Sequence, residues 1–296
     1  MLIDIHGHCL KNHMPLHRGD EPMVWPELLL EMHKEIGISR GVLLPLVGPE
    51  NVPAPQSTDE VLDIARESNG HFIPFLSLDP RMMYNTPEAD LSFIIEYYKD
   101  KGCKGIGEVT ANLSFTDPRC LNLFRAAERN GLPMTIHIGT QEGGMYGLVD
   151  DLGLPRLEAV LRKFPGLKIL GHSQAFWSHI GADVRLDNWG IYPSGPVKRG
   201  GRIVELMRRY PNLLGDLSAG SGLNAISRDP SFAYEFLDEF QDRLFYGTDI
   251  CQPFNRNEPL FLGLRDFLSN ALHEGHLSRE AYEKITHGNA ERLLDL

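Results

Sequence analysis

The sequence has little of what a secreted scaffold, a nucleic-acid binder or a membrane protein needs. Cysteine is scarce: four residues in 296, at Cys9, Cys103, Cys120 and Cys251, with no CxxC pair. No disulfide framework or compact zinc clip follows from that spacing, and four reduced thiols suit a cytoplasmic protein. Positive charge is in deficit, with 29 Lys and Arg against 40 Asp and Glu and a net charge of −11. Such a surface repels phosphate backbones and anionic lipid, so neither a nucleic-acid polymer nor a membrane is an expected partner. No apolar run approaches the roughly 18 residues of a membrane span. The opening MLIDIHGHCL lacks a basic stretch and is broken by Asp4 and two histidines, so it reads as a first strand rather than a signal peptide. Internal repeats, linkers and low-complexity tracts are also missing. A chain of this length buries a large core and needs neither metal nor disulfide merely to fold.

What is present is alternation. Short aliphatic runs predict strands at Leu2–His8, Gly41–Val47, Phe72–Leu78, Lys104–Val109, Met134–Ile138, Lys168–His172, Leu213–Leu217 and Arg243–Asp249. Between them, helical periodicity covers Pro26–Ile36, Thr58–Ser68, Pro87–Lys101, Pro118–Asn130, Leu154–Phe164, Gly201–Tyr210, Ser231–Phe240 and Pro259–Ala271, with a last helix over Ser278–Leu294. Pro87, Pro118 and Pro259 sit at expected helix starts, and Gly131 and Gly102 at expected ends. Eight strand–helix units imply right-handed crossovers and a parallel sheet. No GxGxxG follows the first strand, which counts against a dinucleotide-binding fold. The expected architecture is an α/β fold of the (β/α)8 TIM-barrel type, one domain over residues 1–296. Two long connections, 139–153 and 173–200, are expected to lie over the C-terminal face of the barrel.

In such a barrel the reactive side chains stand at the C-terminal ends of strands. There the sequence places His6 and His8, Glu108, His137, His172 and Asp249, spread over five strands. The H-x-H pair puts two imidazoles on one face, because side chains alternate with period two. Each residue alone has a plainer reading: a satisfied core histidine, an aspartate capping the next helix, a glutamate paired with Arg81. Their coincidence at strand ends points instead to a divalent cation, since imidazole and carboxylate are the donors that Zn2+ takes and Mn2+ also accepts. His33, His273, His276 and His287 fall in helical segments, His71 just before a strand, and His13, His17 and His179 in loops.

The order HGH, IHIG, ILGHS and FYGTDI on strands one, five, six and eight resembles the amidohydrolase superfamily, in particular its branch that includes aminocarboxymuconate semialdehyde decarboxylase. The resemblance covers nearly the whole chain. It implies a metal-dependent hydrolase on a barrel, with His6, His8, His137 and Asp249 as metal ligands and His172 as a second-metal ligand or an acid/base group. The stretch Gly105-Ile106-Gly107-Glu108-Val109 is similar to the strand-four segment of the superfamily's deoxyribonuclease branch, where a glutamate bridges two metals. One or two ions per chain are therefore expected, with Glu108 deciding between them.

The chemistry expected on such a centre is cleavage of a C–O or C–N bond (lactone, ester or amide) of a small carboxylate-bearing molecule, with Asp249 and His172 as the catalytic pair. Arg81, Trp177, Arg185, Trp189 and Tyr192 are candidate substrate contacts, and Asp216 and Ser218 candidate orienting groups. The rival readings are non-oxidative decarboxylation on one ion, phosphoester hydrolysis on two, and a non-catalytic metal-binding protein. Exposed aromatic loops would also suit a homodimer.

Overall fold

The computed structural model describes residues 1–296 except 16, 17, 51, 52 and 54, so His17 lies outside the described residues. The eight predicted strands are present, shorter than their hydrophobic runs: β1 Ile3–Gly7, β2 Arg40–Leu43, β3 Phe72–Pro74, β4 Ile106–Val109, β5 Met134–Gly139, β6 Ile169–His172, β7 Leu213–Asp216 and β8 Leu244–Phe245. All pair in parallel with their sequence neighbours in two runs, β1-β2-β3 and β4-β5-β6-β7-β8. Backbone hydrogen bonds close the two gaps. Leu76 N donates to Gly105 O and Gly107 N to Leu76 O, joining the extension of β3 to β4. Ile5 N donates to Tyr246 O and Asp249 N to His6 O, joining β8 back to β1. The result is the expected (β/α)8 barrel.

Its interior is a separate apolar cluster. Ile3, Ile5, Val42, Leu44, Ile73, Phe75, Leu170, Leu214 and Phe245 meet there, and Ala290 and Leu294 of the last helix join them. The larger cluster packs the surrounding helices onto the outside of the strands. Several helix boundaries follow the local chemistry that predicted them. Pro26, Pro118 and Pro259 open their helices, and Gly131, at φ 66°, closes Pro118–Asn130. Pro87 does not open a helix. That helix is Leu91–Asp100, and it starts where the Asp90 carboxylate accepts a hydrogen bond from Phe93 N.

Three other expectations are corrected. The last helix is broken into Arg279–Glu283, a π turn at Lys284–Gly288, and Asn289–Leu294. At that break Ile285 O accepts from Tyr246 N and the Asn289 amide donates to Leu244 O, which ties the C-terminal segment to β8. The connection 173–200 opens with a helix, Gln174–Ser178, capped by Ser173 Oγ accepting from Phe176 N. A further helix, Ala219–Ser227, follows β7, where its Ala-Gly-Ser-Gly start gives no apolar period to read. Among the described residues no helix is long and apolar enough to cross a membrane.

Candidate metal centre

Six side chains from five strand ends converge at the C-terminal mouth of the barrel. His6 and His8 come from β1 and the residue after it, Glu108 from β4, His137 from β5, His172 from β6, and Asp249 from the turn after β8. Three overlapping groups of donor atoms lie within 4.8 Å of one another: His6, His8 and Glu108; His6, His172 and Asp249; Glu108, His137 and His172. The sequence-predicted set is thus brought together as a whole. Asp249 is the most accessible member, its side chain 24% exposed, while the other five are buried.

The hydrogen bonds behind the cluster assign its tautomers. His8 Nδ1 lies 2.7 Å from Leu44 O, an acceptor only, so this nitrogen carries the proton. His6 Nδ1 lies 2.6 Å from Asp216 Oδ2 and likewise donates. Both Nε2 atoms are thereby left as acceptors, and they face each other at 3.0 Å. Two lone pairs at that distance repel unless a cation lies between or beside them. Carboxylate oxygens surround the same point, with Asp249 Oδ1 3.5 Å and 3.4 Å from the two Nε2 atoms and Glu108 Oε2 3.9 Å and 3.8 Å away. A proton or a metal ion satisfies this geometry, and nitrogen and oxygen donors in a buried acidic cup fit a divalent metal.

The electrostatics agree. Burial would lower the pKa of His6, but Asp216, Asp249 and Glu108 outweigh it and raise it to about 10. In the cation-free protein His6 therefore holds the positive charge that the carboxylates demand. His172 moves the other way, to about 4, pushed down by burial and by the charge on His6. Its Nδ1 lies 3.0 Å from Ser218 Oγ, and its Nε2 lies 3.6 Å from Asp249 Oδ2. Burial alone would raise Glu108, Asp216 and Asp249, yet the facing imidazoles hold all three carboxyls below the usual carboxylate range.

Backbone conformation aims two of these groups. Gly107 sits at φ 147°, where a Cβ would lie 2.9 Å from Thr135 O, so only glycine carries the chain past β5 into Glu108. Asp249 itself is left-handed, at φ 58°, with its N–H on His6 O at 2.8 Å. We expect Gly107→Ala to destabilise the fold by about 2 kcal/mol or more, because both the φ and the neighbouring carbonyl oppose a side chain. A urea denaturation series checks this, and a midpoint within error of wild type would refute it.

The predicted substrate contacts fare differently. Arg81 is occupied: its guanidinium meets Asp79 Oδ1 at 2.7 Å and Glu50 at 2.5 Å and 2.9 Å, which leaves little for a substrate anion. Trp177 does not line the cavity. It is buried, and its indole N–H donates to Asp216 O at 2.8 Å behind β7. Trp189 is buried too, edge-on to His179. Packing a long connection onto the barrel consumes both indoles. Arg185 is exposed and pairs with Asp187. Tyr192 remains at the rim, half exposed, its hydroxyl accepting from Gln174 Nε2 at 3.3 Å. His179 donates to Ala175 O and accepts from Gly153 N, a structural role, and His13 stacks on Trp25.

A cavity of about 100 Å³ opens over the cluster, lined by His8, Met23, Leu46, Glu108, His137, Tyr146, Asp249 and Cys251. Its apolar and aromatic wall was not foreseen. Among the described residues no Lys or Arg lines it. Tyr146 packs its ring on His137, with centroids 4.5 Å apart, and comes from the glycine-rich connection after β5.

A barrel with a buried histidine–carboxylate cluster at its C-terminal mouth defines a metal-dependent enzyme. The chain belongs to the amidohydrolase family, whose model matches residues 3–296. No curated protein matches it. Solved structures do. A probable 2-pyrone-4,6-dicarboxylic acid hydrolase from Acinetobacter baumannii, with citric acid bound, is 11% identical, with 100% of this chain and 99% of that one covered at a TM-score of 0.60. An amidohydrolase from Burkholderia multivorans with bound zinc is 16% identical, covering 100% and 99%, at 0.62. A dihydroxybenzoic acid decarboxylase from Polaromonas sp. JS666, with bound manganese and the inhibitor 2-nitroresorcinol, is 17% identical, covering 100% and 97%, at 0.58. At such identities the likeness speaks for the fold.

Proposed function

We propose that this enzyme is a hydrolase that cleaves a C–O or C–N bond of a small ester, lactone or amide at a centre of two divalent ions, zinc in the first instance. The observation that carries this reading is the division of the Glu108 carboxylate. Its Oε1 lies 2.9 Å from His137 Nδ1, while its Oε2 faces His6 and His8. His6, His8 and Glu108 form one donor set; Glu108, His137 and His172 form an adjoining one. Six donors exceed the four that a zinc ion usually takes, and sites of two ions are a hydrolytic arrangement. Decarboxylation on a single ion would leave part of the set idle.

A divalent cation bound here supplies Lewis acidity, lowering the pKa of a coordinated water to about 7 and polarising a carbonyl oxygen. The protein's own groups do the rest. Asp249 presents an ionised, partly exposed carboxylate at the cavity, placed to take the proton of an attacking water and return it to the leaving group. In a two-ion centre His172 would be a ligand rather than a base, its ring held from behind by Ser218 Oγ, 3.0 Å from Nδ1. Asp216 locks the His6 ring from behind. Met23, Leu46, Tyr146 and Cys251 give the cavity a largely apolar wall. Because no Lys or Arg lines the cavity, the clamp that a phosphoryl group usually requires is missing among the described residues, which favours an acyl substrate over a phosphoester. The same feature narrows the expected substrate: a carboxylate on it would have to meet the metal centre or the solvent-facing rim rather than a cavity cation.

Metal counting tests the reading. Glu108→Gln is expected to bring the metal content from two ions per chain to one and to lower turnover of an ester, lactone and amide panel by about 100-fold or more. A firm count of one ion in wild type, unresponsive to added zinc, would sink the two-ion version. Carbon dioxide release from dihydroxybenzoates, with no turnover of the acyl panel, would replace hydrolysis with decarboxylation.

A further inference from the structure

The connection after β5 holds one side chain over the metal centre in a way its sequence alone does not announce. Gly143, Gly144 and Gly147 all adopt positive φ, so the chain doubles back tightly around Met145 and Tyr146. Gly147 packs directly beneath the ring of His137; a Cβ there would lie 2.9 Å from His137 Cδ2 and 2.7 Å from Gly139 N. Asn112, from the turn after β4, staples the loop. Its Oδ1 accepts from Gly143 N at 2.6 Å, and its Nδ2 donates to Gln141 O and Gly147 O. Gly147 N in turn donates to Thr110 O, and Met145 Sδ accepts from Thr140 N. Such anchoring is more than a surface turn needs, and Tyr146 is the residue it positions. The ring lies against His137 and lines the cavity with Glu108 and Asp249. Tyr146 is 41% exposed, at the mouth of the cavity, and among the described residues its hydroxyl makes no hydrogen bond, which leaves it free to meet a ligand entering there.

We propose that the Tyr146 hydroxyl is a catalytic hydrogen-bond donor to the oxygen of the substrate's reacting carbonyl. The proposal rests on the hydrolytic reading above and adds a residue to it. As the water oxygen adds to the carbonyl carbon, the π pair moves onto the carbonyl oxygen, and the Tyr146 O–H donates to the charge forming there without giving up its proton. The pair returns to carbon as the bond to the leaving group breaks, and that group takes the proton removed from water. A donor held rigidly at the cavity wall costs little reorganisation and strengthens as negative charge develops. Asn112 is then a positioning residue, acting through the loop.

The test compares zinc-loaded wild type, Tyr146→Phe and Asn112→Ala, using acetohydroxamate as an oxyanion mimic in titration calorimetry and the acyl panel for kinetics. Tyr146→Phe is expected to keep the wild-type zinc content and thermal midpoint, to bind acetohydroxamate about tenfold more weakly, and to lose about 100-fold in kcat with KM changed less than about threefold. Asn112→Ala should show the same pattern with smaller losses. Equal acetohydroxamate affinity and equal kcat in wild type and Tyr146→Phe would overturn the proposal, as would a zinc-loaded wild type that does not bind acetohydroxamate. Failure of wild type to bind zinc at all would overturn the metal-centre reading itself, and a zinc-loaded enzyme without acyl turnover would overturn the hydrolytic one.

Discussion

Asp249→Asn is expected to lower kcat by about 1,000-fold while KM stays within about threefold of wild type. The substitution removes one property and keeps the others. Asparagine has the same shape and retains an oxygen at the Oδ1 position, which lies 3.5 Å and 3.4 Å from His6 and His8 Nε2. It also tolerates the left-handed conformation at φ 58°, so the backbone bond from residue 249 to His6 O survives. What is lost is the ability to accept a proton from water in the transition state. Because the barrel closure and the packing are untouched, the thermal midpoint should move by only a degree or two with saturating zinc present. Asp249→Ala makes a useful contrast, since it removes the oxygen as well and should lower metal affinity along with turnover. Steady-state kinetics on the best substrate of the acyl panel, with zinc content measured on the same samples, checks both. Near-wild-type turnover by fully loaded Asp249→Asn would remove Asp249 from the proton-transfer role.

The parts of this fold that were legible in the sequence are those where a local rule and the tertiary structure ask for the same thing. Ile3 and Ile5, Val42, Ile73 and Leu170 fill the barrel interior, so their strands read as apolar runs. Pro26, Pro118 and Pro259 open helices where the missing N–H costs nothing. Pro87 misled because proline suits an extended approach segment as well as a first helical turn, and the cap at Asp90 decided the matter. The helix Ala219–Ser227 was invisible for the opposite reason: its glycines carry no period, and its packing against the neighbouring helices holds it instead.

The same logic applies to the site. His6, His8, Glu108, His137, His172 and Asp249 could be picked out because a strand end fixes where a side chain goes, so position in sequence translates into position in space. Trp177 and Trp189 could not be placed, because within a connection of about 28 residues an indole can turn outward to a ligand or inward to the barrel. Here both turn inward, and Trp177 secures Asp216, the group that orients His6. Arg81 could not be placed either, since Glu50, which with the nearby Asp79 occupies its guanidinium, reaches it from another connection. Tyr146 was hidden among glycines whose positive φ values appear only in three dimensions.

Removing the metal should convert this site from a pH-insensitive element of the fold into a pH-sensitive one. In the cation-free protein His6 has its pKa raised to about 10, against about 6.5 in the unfolded chain. The folded state therefore binds the proton more tightly. The stabilisation is complete below pH 6.5 and is lost as the pH rises toward 10, because there the unfolded state releases the proton first. Stripped protein should thus unfold at lower urea as the pH is raised from 6.5 to about 8, whereas zinc-loaded protein should not follow this slope, its cation having replaced the proton. Above that range the four thiols, whose ionisation burial opposes, add a slope of the same sign to both forms. His6→Gln, stripped of metal, should also lose most of the slope. Linkage fixes the companion result: each ion that displaces the His6 proton releases it, so zinc affinity should rise about tenfold per pH unit below 10. At zinc about 1,000-fold above its dissociation constant, each bound ion should add about 4 kcal/mol to the stability of the stripped protein. Urea midpoints with and without chelator, together with calorimetric proton release in two buffers, check the whole set. A stripped protein whose stability rises with pH over this range, or zinc binding that releases no proton, would mean that His6 does not carry the site's charge in the absence of metal.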